Sequence, residues 1–251
     1  MTVEQKPAIV GTQPAGTSDR EAAAAAVRAM FTSIAPRYDL LNHLLSFNVD
    51  RIWWRRAART FSHILARPQA RVLDLCCGTC DMALALHRAA GRTRPSIVGA
   101  DFSHAMLQLA ARKCTGKNIT PLEADALKLP FAACVFDLVV SSFGFRNLAD
   151  YDAGLQEIHR VLGPGGEIGI LDFGEPKGLL GTIYRVYFRH VLPRVGTVIS
   201  GVRGPYQYLP ASVERFPDPE EMIQRMRAHG FRDVSWTPYT FGIAGLYRAK
   251  K

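Results

Sequence analysis

RVLDLCCGTCD, residues 71–81, starts as a short apolar run, Val72-Leu73-Asp74-Leu75, and ends where a helical pattern opens with Met82, Leu84, Ala85 and Leu86. The run has the pattern of a strand buried on both faces. Between strand and helix lies a tight turn, Cys76-Cys77-Gly78-Thr79-Cys80. Small residues there let a ligand touch the backbone, and the free N–H groups of a helix start face it. A second apolar run, Ile97-Val98-Gly99-Ala100, ends in Asp101, about twenty residues past the turn. An acidic residue closing the second strand of a βαβ unit accepts hydrogen bonds from the two hydroxyls of a ribose. Turn, spacing and Asp101 together point to an adenosine-containing cofactor.

The same alternation continues outward. Apolar runs at Val72–Leu75, Ile97–Ala100, Ile119–Leu122, Phe136–Val140 and Ile168–Phe173 are separated mostly by helical segments. Ser103 and Asp150 stand where helix caps belong, and Gly163-Pro164-Gly165-Gly166 is a strong stop. Val234–Trp236 and Phe241–Tyr247 read as a closing hairpin joined through Pro238, after a helix over Asp218–His229. The pattern predicts a Rossmann-like, doubly wound α/β fold with a mostly parallel seven-stranded sheet. Its ligand belongs at the carboxyl ends of the strands.

Upstream, residues 1–20 mix Pro, Gly, Thr and Gln without periodicity and read as a disordered leader to the 21–251 domain. Three helices follow, over Glu21–Phe31, Tyr38–Phe47 and Asp50–Phe61. The last carries Trp53 and Trp54 among Arg51, Arg55, Arg56 and Arg59, a pattern that suits a membrane interface or a polyanion; the favoured reading is aromatics on the core with arginines in water. Residues 179–216 break the alternation and read as a helical insertion over the carboxyl edge.

At 251 residues the chain suits one α/β domain with additions. A net charge of +9 suits an anionic partner and equally a solvated basic surface. No signal peptide and no apolar run of about eighteen residues is present, so nothing is expected to span a bilayer. Five cysteines, three in one turn, argue for reduced thiols in the cytoplasm. Cys77-Gly78-Thr79-Cys80 is also the spacing of a redox pair, but the chain is too long for that fold, and Asp74 and Asp101 have no role in it. No histidine sits at ligand spacing, so no metal is expected.

Two further loops carry chemistry-bearing residues. Asp125-Ala126 follows the third strand, where a carboxylate can accept from an adenine amino group. Ser141-Ser142-Phe143-Gly144-Phe145-Arg146-Asn147 follows the fourth and puts hydroxyls, a guanidinium and an amide at a strand's carboxyl end.

With SFGFRNL (142–148), EIHRVLGPGGEIGILDF (157–173) and YQYLPASVERFP (206–217) added to these stretches, the chain resembles the S-adenosylmethionine-dependent methyltransferases that C-methylate demethylmenaquinone and the ubiquinone precursor. The resemblance runs from about Phe31 to Lys250. It implies S-adenosyl-L-methionine held by Gly78, Thr79, Asp101, Asp125, Ala126 and Ser142. It implies methyl transfer to a ring carbon of a polyprenylated quinol, demethylmenaquinol first and the benzoquinol second. Arg146 and Asn147 are the expected donors to the quinol oxygen, and Tyr38 covers the ring; no general base stands out. A peripheral membrane contact through Leu179–Ile199 and a homodimer are further expectations; nucleic acid is not. Cys80 stands where such enzymes usually have glycine. If that position needs positive φ, its Cβ costs about 1–2 kcal/mol, and it is expected to crowd the methionine tail and weaken binding. The rivals are an RNA methyltransferase and a cofactor-binding protein without turnover.

Overall fold

The computed structural model describes residues 10–39, 46, 48–174, 176, 181, 187 and 205–251. Seven strands form one sheet: β1 (Arg71–Leu75), β2 (Ser96–Asp101), β3 (Ile119–Glu123), β4 (Phe136–Ser142), β5 (Leu162–Phe173), β6 (Arg232–Tyr239) and β7 (Ala244–Lys250). Their order is β3-β2-β1-β4-β5-β7-β6. The first five run parallel, and β7 pairs antiparallel with both β5 and β6.

Strand periodicity divides the core between the two faces. Val72, Leu138 and Val140 point to one side, where they meet Phe61, Leu65 and Leu86. Leu73, Leu75 and Val139 point to the other and meet Leu155, Ile158 and Met222. Because both faces are covered, β1 after its exposed Arg71 reads as an apolar run broken only by Asp74.

The helices are α1 (Arg20–Ile34), α2 (Val49–Thr60), α3 (Asp81–Ala90), α4 (His104–Cys114), α5 (Tyr151–Val161), α6 (Pro205–Arg215) and α7 (Pro219–Ala228). Asp150 caps α5 by accepting from the N–H groups of Asp152 and Ala153. Ser103 occupies the N-cap of α4 without a side-chain cap bond. Its N–H instead donates to Asp101 Oδ1, at 2.9 Å.

Two sequence expectations need correction, and a third lies mostly outside the described residues. The described part of the leader is bonded to the rest of the fold: Thr12 N–H donates to Leu148 O, Tyr151 N–H to Val10 O, and a Cβ on Gly11 would lie 2.3 Å from Ala149. A backbone paired this way gains order that its composition does not advertise. Pro238 does not turn the closing hairpin but lies within β6, opposite Gly245. The sheet's edge tolerates a residue without an N–H, and the turn is made by Thr240–Gly242. Most of the expected 179–216 insertion, like Leu179–Ile199 and most of Tyr38–Phe47, lies outside the described residues; its last part is α6.

Candidate active site

At the carboxyl edge of β1, β2 and β4 lies a cavity of about 390 Å³. All nine residues singled out from sequence line it. Tyr38, Gly78 and Thr79 are joined there by Asp101, Asp125 and Ala126, and by Ser142, Arg146 and Asn147 from the β4 loop.

The turn after β1 is wound through alternating left-handed residues: Cys76 at φ 56°, Gly78 at 53° and Cys80 at 67°. Two of the three carry a Cβ, a strain of about 1–2 kcal/mol each. Strain of this kind concentrates where function needs a set backbone. Asp101 holds the turn from β2, accepting from Gly78 N–H at 2.8 Å. A Cβ on Gly78 would meet only the Tyr38 ring, at 3.7 Å.

Cys80 does adopt the left-handed conformation, but its side chain does not reach the cavity. It is fully buried in the core. Its Sγ lies over Gly99 of β2, where an added Cβ would sit 2.6 Å away. The expected crowding of the methionine tail is therefore wrong: this thiol fills space under the sheet that Gly99 leaves open. Burial pushes the Cys77 thiol up to about 12. Redox-active thiols shift the other way.

Electrostatically, this half of the cavity is short of positive charge. Asp74 is fully buried; its Oδ2 accepts from Ala83 N–H at 2.8 Å, while its Oδ1 is buried without a partner. Burial lifts its carboxyl well above the usual range. Asp101 is raised for the same reason, with the N–H groups of Ser103, Gly78 and Phe102 pulling it back. Two buried carboxylates, one with an orphaned oxygen, fit a cationic ligand.

The Thr79 hydroxyl is already engaged. It donates to Asp39 Oδ1 at 2.6 Å and accepts from Lys113 Nζ at 2.9 Å. Lys113 also binds Asp39 and Asp81. This cluster ties the segment bearing Tyr38 to the turn. Asp125 is exposed, and its Oδ1 accepts from Leu127 N–H.

The other half is built around an ion pair. Arg146 is 5% exposed; its Nη1 donates to Asp172 Oδ1 at 2.8 Å and to Phe143 O. Asp172 also accepts from the N–H groups of Arg146 and Phe173. Arg146 Nε is buried without a partner. Aromatic rings form the wall: Phe143 lies 4.5 Å from Phe173 and 5.8 Å from Trp53, centroid to centroid. Trp54 Nε1 donates to Ser142 Oγ at 2.8 Å. Asn147 Oδ1 accepts from the Tyr208 hydroxyl at 3.0 Å, which is also 2.6 Å from Thr12 Oγ1.

Sequence reasoning missed Asp172, Tyr208, Lys113 and the polar role of Trp54. Asp172 had a signal, an acid at the end of an apolar run. The others are joined only through the fold, across 61 positions for Tyr208 and Asn147 and 88 for Trp54 and Ser142.

Parallel strands closed by an antiparallel seventh, with acidic residues at the ends of β1 and β2, define the class of Rossmann-like S-adenosylmethionine-dependent methyltransferases. The fold matches that of a SAM-dependent methyltransferase from Thermotoga maritima with a TM-score of 0.62 at 18% identity, covering 89% of this chain and 98% of that one. Within the class, the ubiE/COQ5 methyltransferase family matches residues 18–251, and the chain belongs to it. It is 48% identical to the demethylmenaquinone methyltransferase of Deinococcus radiodurans, over 100% of both chains. It is 50% identical to the demethylmenaquinone methyltransferase of Thermus thermophilus, over 87% of this chain and 98% of that one.

Proposed function

We propose that the protein methylates a ring carbon of a polyprenylated quinol, converting demethylmenaquinol to menaquinol; the corresponding benzoquinol of ubiquinone synthesis is the second acceptor. The observation that carries this is one cavity with a carboxylate-rich half and an aromatic half closed by Arg146. The names of the two bacterial relatives support the naphthoquinol.

When bound, S-adenosylmethionine supplies a methyl already activated by a sulfonium. Asp101 would hold its ribose, Asp125 and Ala126 its adenine, and Gly78, Thr79 and Ser142 its remaining length, with Asp74 offering its orphan oxygen to positive charge. The protein's own task is then to ready the nucleophile. A quinol carbon gains electron density as the neighbouring hydroxyl loses its proton. The Arg146 guanidinium, held by Asp172, stabilises the phenolate that develops. Asn147, bonded by Tyr208, would donate to the same oxygen, and a water held by Arg146 would take the hydroxyl proton. The ring carbon takes the methyl as the methyl–sulfur bond breaks, leaving S-adenosylhomocysteine, and then sheds its own hydrogen as a proton to water, which restores the aromatic quinol. Phe143, Phe173 and Trp53, tilted against one another, would give the ring an aromatic wall, and Tyr38 would cover it from the N-terminal side. These contacts align carbon and methyl before reaction.

Among the described residues no helix is long and apolar enough to cross a membrane. The same reading places the enzyme in the cytoplasm, meeting its substrate at the inner membrane face, with self-association as a further feature. Transfer of labelled methyl from S-adenosylmethionine to short-tailed demethylmenaquinol tests the reaction. Product methylated on the ring carbon is expected; label in oxygen, in RNA or nowhere sinks it.

A further inference from the structure

Two large apolar side chains stand out in solvent, Ile52 at 58% exposure and Phe241 at 79%. They lie at one rim. Trp53 Nε1 donates to Thr240 Oγ1 at 2.8 Å, joining α2 to the turn between β6 and β7, and Arg56 lies 4.3 Å over the Tyr239 ring. Phe241 has φ 58° and its neighbour Thr240 has φ 45°. A bulky residue in that region is strained, and here the strain gains no burial.

The face beside them is basic. Arg51, Ile52, Arg55, Arg56 and Arg59 form the exposed stripe of α2, spaced along successive turns, while Trp53, Ala57 and Ala58 of the other stripe are buried. Asp50, the acidic residue of the helix, is buried and accepts from Arg51 N–H. Among the described residues Arg51, Arg55 and Arg59 make no ion pair. The same two elements also line the cavity, through Val49, Trp53 and Trp54 on one side and Thr240 and Ile243 on the other.

We propose that this rim docks on an anionic lipid surface, with the arginines on the headgroups and Ile52 and Phe241 in the interface. Charge complementarity selects lipid phosphate, and two apolar side chains raised beside a basic stripe are what a headgroup layer accepts. A polyprenyl tail would then pass from the cavity to the bilayer without crossing water. The proposal rests on the quinol reading for its purpose, though not for its test.

The test is sedimentation of the full chain with phosphatidylcholine vesicles, with and without about a third phosphatidylglycerol. Binding is expected only with the anionic lipid, and to weaken as salt rises. Each arginine near such a surface contributes about fivefold, so Arg51→Glu, Arg55→Glu and Arg59→Glu combined should lower partitioning by about a hundredfold or more. Phe241→Asn is the second variant. Asparagine tolerates positive φ, so its fold should be at least as stable while vesicle binding falls severalfold. Equal binding by wild type and both variants would overturn the proposal. So would tighter binding to single-stranded RNA that ignores Phe241→Asn, or self-association lost in the variants in place of lipid binding. Methyl transfer to a short-tailed quinol without vesicles should be unchanged in both. Its absence from wild type would overturn the quinol reading alone, because the vesicle result does not depend on it.

Discussion

The two halves of the cavity solve opposite electrostatic problems. Around β4 and β5 the buried charge is paired within the protein: Arg146 and Asp172 form an ion pair, Phe173 covers the guanidinium at 5.0 Å, and of the guanidinium only Nε is buried without a partner. Around β1 and β2 it is left incomplete: Asp74 has an orphaned oxygen and Asp101 has backbone N–H groups in place of a close cation. A buried charge without a partner is costly. On the proposed reading the β1–β2 half would be finished by a cation from outside, and the β4–β5 half would keep its cation for an anion that forms only during reaction.

The largest effect should come from breaking the ion-paired half. Arg146→Ala leaves Asp172 buried and unpaired, which costs about 3–5 kcal/mol of stability, measurable by denaturant unfolding. Arg146→Lys keeps a charge but loses the planar fork, and turnover should fall about a hundredfold or more. Turnover within a few-fold of wild type would reduce Arg146 to a partner for Asp172.

Next is Asp101→Asn. It removes the charge proposed to face the ribose and turns one amide N–H against Gly78 or Ser103. Cofactor affinity by calorimetry should weaken about ten- to a hundredfold, since bonds to a charged group contribute about 1.5–3 kcal/mol. An unchanged affinity would detach the ribose from this residue.

The pH dependence of Asp74 sharpens the contrast. Its folded carboxyl titrates above its unfolded value, so its contribution is intact below the unfolded pKa of about 4 and is lost as pH rises through the folded one. Asp74→Asn should therefore match wild type near pH 4 and become the more stable protein toward neutrality. Bound S-adenosylmethionine should narrow that gap. A gap that is flat with pH would mean the buried carboxyl costs nothing.

Cys80→Gly should do least. Relief of about 1–2 kcal/mol of backbone strain is set against loss of a buried thiol of similar worth. Cofactor affinity should not move, because the side chain faces Gly99. A several-fold change would restore the crowding argument.

The fold was legible because β1, β2 and β4 each carry their core pattern in consecutive residues. The candidate site was legible as a set of loops for the same reason: each loop follows its strand. What each side chain does was less so. Thr79 reads as a ligand contact, yet its hydroxyl is spent on Asp39 and Lys113, which α4 brings in from 34 positions away. Cys80 reads as an intruder on the cofactor because sequence cannot tell which side of a left-handed residue its Cβ takes. Pro238 reads as a turn because nothing local distinguishes an edge strand from a hairpin tip.

The docking of residues 10–12 on the β4 loop gives the chain's beginning a say in chemistry far along it. A polypeptide shortened past Thr12, or carrying alanine at position 11, would lose this strap and leave the Tyr208 hydroxyl, which donates to Asn147, without its Thr12 partner. The amide would then swing more freely, and catalysis should slacken before the fold does.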